Sequence, residues 1–299
     1  MTPLVAAAVL LAAVTHASWN AIAHHIKDQL LSFTLISGGG ALLGALAAVF
    51  VPLPAAEAWP YLIASAIVHV GYMALLMRSF TLGDFGQMYP IARGTAPLAV
   101  TAIAALFVDE VPEAWQLTGV AVACAGLVGL ALWGIRGRDG AGRGTGGGAG
   151  RGTGGGRPHR PALVAAVGTG LAIAAYTVVD GVGVRTSGTP LGYIAWLMIL
   201  QGTAIPLYTL YRRRSALAAQ LRPYAMRGAV GAALSISAYA LVLWAQTQAP
   251  LAPIAALRES SVIVGAAIGA LFFKERFGTP RIAAAALMAA GIALMLYGS

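Results

Sequence analysis

The chain has 299 residues, of which 59% are hydrophobic and only 10% charged, with a mean hydropathy of +0.78; this excludes an ordinary soluble domain and marks an integral membrane protein. Its net charge of +9 does not describe a nucleic-acid surface, because the cations lie between apolar runs, where orientation in a bilayer explains them. One cysteine, Cys124, rules out an intramolecular disulfide and any multi-cysteine metal site, and its Ala/Gly-rich surroundings make it a packing thiol.

A window of about 19 residues, enough to cross about 30 Å of hydrocarbon, finds ten apolar runs. They lie near residues 3–23, 30–51, 58–79, 84–107, 113–135, 161–184, 189–211, 223–247, 250–273 and 279–297. Each is too long for a barrel strand, and lipid offers backbone groups no partner, so each is predicted to be a helix. The first run has no Lys or Arg before it and continues through Trp19 and Asn20 with no small-residue cleavage site, so a retained span is expected and not a cleaved leader.

In the first run His16, Asn20 and His24 recur every four residues beside Trp19 and share one face. That face reads either as a cavity wall or as interhelical hydrogen bonding of about 0.6 to 2 kcal/mol, with His24 and His25 near the interface. Ser65, His69 and Tyr72 fall on one face of the third run, as do Ser235, Tyr239 and Gln246 in the eighth, and both tyrosines lie too near mid-helix for an interfacial belt. The fourth run carries Tyr89 and Arg93 between Pro90 and Pro97, and the ninth carries Arg258 and Glu259 after Pro250 and Pro253. An arginine that far inside a span costs several kcal/mol unless it faces a wet cavity or has a partner. Tyr176 and Asp180 make an i, i+4 face on the sixth run, and Asp180 is the first candidate for proton coupling, with Glu259, His16 and His69 behind it. The fifth and tenth runs are nearly pure Ala, Gly, Leu and Val, which suits close helix packing or a dimer contact.

Residues 136–160 are rich in Gly and Arg, have nothing to build a core from and lack the aromatics that stack on RNA, so they form a basic tether. Its GTGGGAG stretch lacks the Gly-Lys-Ser/Thr end of a phosphate loop, and no HExxH occurs; neither an enzyme, a cofactor nor a metal site is expected.

The tether divides the chain into residues 1–135 and 161–299, five runs each. At a constant offset of 165, Arg93 falls on Arg258, Ile103 on Ile268, Leu106 on Leu271, Phe107 on Phe272, Glu110 on Glu275 and Gly126 on Gly291. An odd number of spans per copy would orient the copies oppositely, so the expected fold class is an all-α integral membrane protein of ten transmembrane helices in two inverted five-helix repeats, with a site where the halves meet. Sixteen of the 19 Lys and Arg fall on the tether side; of the others, Arg93 and Arg258 lie inside runs and Arg185 stands alone opposite. The positive-inside rule then places the tether in the cytoplasm and both termini outside.

Ten spans, the duplicated halves, HASWN (His16 to Asn20), GDFGQMYPIARGTAP (Gly83 to Pro97) and the acids ending the fourth and ninth runs together resemble an EamA-type transporter of the drug/metabolite transporter superfamily. The resemblance implies movement of small metabolites, amino acids or drugs across the bacterial inner membrane, often outward. It also implies cytoplasmic termini, against which the charge count is preferred. Small multidrug pumps of that superfamily use a glutamate in their first helix; this first run has no acid, so that mechanism does not carry over.

The expected function is a secondary transporter for amino acids or related amphiphilic compounds, working by alternating access. Its site would be lined by His16, Trp19, Asn20, His69, Tyr72, Tyr89, Arg93, Tyr176, Tyr239 and Arg258. Arg93 is the expected anchor for a carboxylate, with Asp180 an acid that could reach it in space; locked Arg–carboxylate pairs are the competing reading. Expected partners are a small-molecule substrate, the lipid bilayer and protons, with no nucleic acid, for a monomer or homodimer. The alternatives are a flippase for a lipid-linked sugar or polyprenyl carrier, or a non-transporting assembly factor. A cysteine placed in the tether should stay unlabelled by an impermeant maleimide added to intact cells; strong labelling would reverse the orientation.

Overall fold

In the computed structural model, which describes residues 1–24, 26, 28–82, 85–141, 160–265, 267 and 279–297, every regular element is helical and no strand occurs among the described residues. Lipid cannot satisfy backbone groups, so a helix, which satisfies its own, is the form such apolar runs must take. Seven helical stretches are long and apolar enough to cross a membrane: residues 3–23, 29–48, 56–76, 88–107, 160–186, 190–213 and 216–246. Two shorter apolar stretches cover 114–130 and 282–296. The expected tether from residue 142 to 159, His25, Asp84, and the repeat positions Ile268, Leu271, Phe272 and Glu275 lie outside the described residues.

The first half supplies α1 (Pro3–His24), α2 (Gln29–Ala48), α3 (Trp59–Leu82), α4 (Phe85–Phe107) and α5 (Ala114–Ala141). The second supplies α6 (Arg160–Thr186), α7 (Pro190–Gly202), α8 (Ala204–Arg213), the short α9 (Ala216–Leu221), α10 (Ala225–Gln246), α11 (Leu251–Arg258) and α12 (Thr279–Tyr297). Three boundaries depart from the apolar runs. Helix α5 continues to Ala141, past Ile135, because extending a formed helix is far easier than starting one. The seventh run divides at Thr203. Pro206 there has no N–H for the carbonyl of Gly202, four residues back, and the helical bonding resumes with Leu207 N–H on Thr203 O at 3.0 Å. The ninth run stops at Arg258 and resumes as helix at residue 261; in between, Glu259 N–H bonds Ala256 O and Ser260 N–H bonds Leu257 O, both at 3.1 Å and three residues back, a tightened turn at mid-run.

Helix α3 packs on α6 and α1 on α10; α4 packs on α6 and α11 on α1; α4 meets α5 and α11 meets α12. Helices α2 and α7, α4 and α11, and α5 and α12 pack against each other directly. Glycine makes the α5–α12 contact possible. A Cβ on Gly119 would lie 2.5 Å from Met295 Cγ and one on Gly291 would lie 2.5 Å from Gly119 O, so the two backbones touch where the sequence offered either packing or dimer contacts.

Asp28 begins α2 and joins it to the end of α8. One carboxylate oxygen accepts from Leu30 N (3.1 Å) and Leu31 N (3.2 Å), satisfying free N–H groups of the first turn, and the other accepts from Arg213 Nη2 at 2.6 Å. Partial burial pushes its pKa upward, but Arg213 and the two N–H groups together hold it below the ordinary 3.8. A carboxyl depressed by folding stabilises above its unfolded pKa and loses that contribution as pH falls through the folded one. Acid titration of the purified protein in detergent should therefore show a loss of thermal stability below about pH 4 that is smaller in Asp28→Asn; equal losses in both would exclude this link.

Candidate functional site

Helices α1, α3, α4, α6, α10 and α11 converge on a buried polar centre. Arg93 of α4 is 5% exposed, Arg258 of α11 6%, and Glu259, Asp180 and Ser65 are at 1% or less. Both guanidinium groups are turned inward, away from the surface that lipid would cover.

Arg93 is held by the broken end of α11. Its Nε lies 2.7 Å from Glu259 Oε2 and its Nη2 donates to Ser261 Oγ at 2.8 Å, while the guanidinium sits 5.8 Å over the ring of Tyr89. The expected partner, Asp180, is therefore not the one used: Glu259, in the turn that ends α11, takes its place. The Nε–H does not point along the Glu259 contact, so both carboxylate oxygens and Arg93 Nε lack a directed hydrogen bond. Ser260 Oγ, Gln246 Oε1 and Arg258 Nε lack one as well. Buried polar groups without partners are costly, so this concentration of them marks a place for water or a polar ligand.

Arg258 has no ion-pair partner among the described residues, since Glu259, its neighbour in sequence, is engaged with Arg93. It lies close enough to act electrostatically on His16, His69, Tyr72, Tyr176, Asp180 and Tyr239. Four of these make an aromatic cluster: His69 stacks on Tyr176 at 4.0 Å between centroids, with Tyr72 and Tyr239 edge-on to His69 at 6.4 and 5.9 Å. His69 Nδ1 is 3.2 Å from Ser65 Oγ and 3.0 Å from Ser65 O. Asp180 accepts from Tyr193 Oη at 3.0 Å and from Tyr239 Oη, with Ser65 beside it.

Of the residues singled out from sequence, His69, Tyr72, Tyr176, Asp180, Tyr239 and Arg258 come together in one cluster, and Tyr89, Arg93 and Glu259 in the ion pair beside it. His16, Trp19 and Asn20 are half-buried on α1; Trp19 Nε1 donates to His16 Nδ1 at 3.3 Å and Asn20 Nδ2 to His16 O at 2.9 Å, so these bonds stay within the helix. Tyr193 and Ser261 were not anticipated. Tyr193 sits one turn into α7, where a tyrosine reads as interfacial; it reaches Asp180 because Gly183 leaves its hydroxyl room, a Cβ there falling 2.4 Å from it.

A bundle of membrane-length helices around a buried charged and aromatic centre defines a multi-pass membrane protein with a polar interior. Residues 160–297 match the EamA-like transporter family, in line with the resemblance seen in the sequence. A solved crystal structure of a protein aligns over 97% of this chain and 94% of its own with a TM-score of 0.66; at 16% identity the likeness is one of fold. No curated protein matches the chain.

Removing one partner from a buried ion pair leaves an uncompensated charge and costs about 3–5 kcal/mol. Glu259→Gln should lower the melting temperature in detergent markedly, and Arg93→Met with Glu259→Met should recover most of the loss. A Glu259→Gln protein as stable as the parent would show that the pair does not hold α4 to α11.

Proposed function

We propose that the chain is a secondary transporter of small carboxylate-bearing amphiphiles, amino acids among them, in which Arg258 anchors the carboxylate. The observation that carries this reading is the buried guanidinium of Arg258, which has no ion-pair partner among the described residues and lies within electrostatic reach of the cluster of Tyr72, Tyr176, Tyr239 and His69. A planar guanidinium suits a carboxylate, and the aromatic wall suits an apolar body. Because Arg93 is occupied by Glu259, the anchor role expected of Arg93 moves to its counterpart in the other half. Asp180 and Glu259 remain the groups proposed to carry a coupling proton, Asp180 through Ser65 and His69.

Alternating access by two inverted five-helix repeats, residues 1–135 and 161–299, is part of this proposal. In its support, exchanging the halves leaves the packing pattern unchanged: α3 on α6 becomes α10 on α1, α4 on α6 becomes α11 on α1, and α4 on α5 becomes α11 on α12. Outward transport across a bacterial inner membrane, with the tether cytoplasmic, completes the reading.

One observation favours a flippase as the second reading. A groove of about 330 Å³ between α1 and α10 is lined by Ile22, Met226, Arg227 and Val230, and would admit a lipid-linked substrate from the side. Flux in proteoliposomes separates the two. With labelled amino acids, Arg258→Gln should cut flux at least about 10-fold, the worth of a charge-assisted hydrogen bond of about 1.5–3 kcal/mol. Wild-type flux in that variant would remove the anchor, and transfer of a lipid-linked sugar alone would favour the flippase.

A further inference from the structure

We propose that Arg185 and Glu110 are the gate that closes the membrane face opposite the tether. The inference rests on the transport reading above but concerns residues outside the substrate site.

The corner between α10 and α11 has a backbone problem written into its sequence. The carbonyl of Gln246, the last residue of α10, would be bonded by the N–H of residue 250, which is proline and has none, and the carbonyl of Ala249 lies in the link between α10 and α11, outside the bonding of either helix. Arg185, at the end of α6, supplies a donor to each. Its Nε donates to Gln246 O at 2.7 Å and its Nη2 to Ala249 O at 2.9 Å. The third arm, Nη1, pairs with Glu110 Oε1 at 2.5 Å. Glu110 in turn accepts the N–H of Leu251 at 2.7 Å, one of the free donors of the first turn of α11. Two side chains thus satisfy the exposed ends of two helices and draw α4, α6, α10 and α11 together.

The placement is set up by the backbone as well. Asp109 adopts a left-handed conformation (φ 59°), which costs a non-glycine residue about 1 kcal/mol, and the chain turns so that Glu110 N–H bonds Ala104 O at 3.1 Å and its side chain faces Arg185.

The clasp has the properties of a gate more than of a fixed strut. Its side chains are 29% and 19% exposed, so water can replace each bond as it breaks. Beneath it lie fully buried layers, Gln246 and Leu251, then Asp180 with Tyr193. Toward the tether side of the centre burial is less complete: His16, Trp19, Asn20, Tyr72 and Tyr89 are all half-buried. Arg185 is also the only cation in the sequence placed on its face of the membrane by the span count, so no neighbouring Lys or Arg substitutes for it. Released, it would leave two carbonyls, a carboxylate and an N–H, which are stable only in water and so require an open mouth.

The test is the distance across that mouth. Nitroxides at Ala114→Cys and Gln248→Cys, both exposed positions, in a Cys124→Ala background report it by pulsed electron resonance in nanodiscs. Glu110→Gln and Arg185→Gln should each add a longer-distance population that becomes the majority; Arg185→Lys, which keeps the charge but cannot reach both carbonyls, should give a smaller share. An unchanged distribution in all three overturns the gate, whatever the flux. If the glutamine variants are not monodisperse, Arg185→Lys against the parent decides alone. Failure of the parent to carry any labelled amino acid would instead remove the transport reading and leave the distances to judge the clasp.

Discussion

The structure depends on keeping two guanidinium groups inside a bundle that lipid surrounds. Charge at that depth must be paired or hydrated. Arg93 has Glu259, Ser261 and the face of Tyr89; Arg258 has polar and aromatic neighbours and, among the described residues, no ion-pair partner. The break after Arg258 lies beside this pair, where Glu259 N–H and Ser260 N–H each bond the carbonyl three residues back. An ordinary apolar bundle would have no use for such a break.

Proline is the means by which backbone groups are made available. Pro206 releases a carbonyl where α7 gives way to α8, and Pro250 leaves another without its donor at the α10–α11 corner. Released groups inside a membrane protein must find a side chain or water. At the corner the carbonyl finds Arg185: Gln246 gives its carbonyl to that guanidinium, while its side chain donates to Thr177 O at 3.4 Å, one turn from Asp180.

The sequence by itself determined the membrane class, the positions of most helices and the residue types of the centre. These follow from hydropathy over a span length and from the rarity of Arg, Asp, His and mid-helix Tyr in apolar runs, both of which are local properties. Nearly all the singled-out side chains do gather, as faces of helical period must when those faces turn from lipid. Partnership was decided only by the tertiary structure. Arg93 and Glu259 are 166 positions apart, Glu110 and Arg185 75, and no periodicity within a helix encodes which side chain of another helix lies within 3 Å. That Glu259 pairs with Arg93 and not with Asp180's neighbours is likewise settled by packing between helices, for which the residues on either side of it carry no signal.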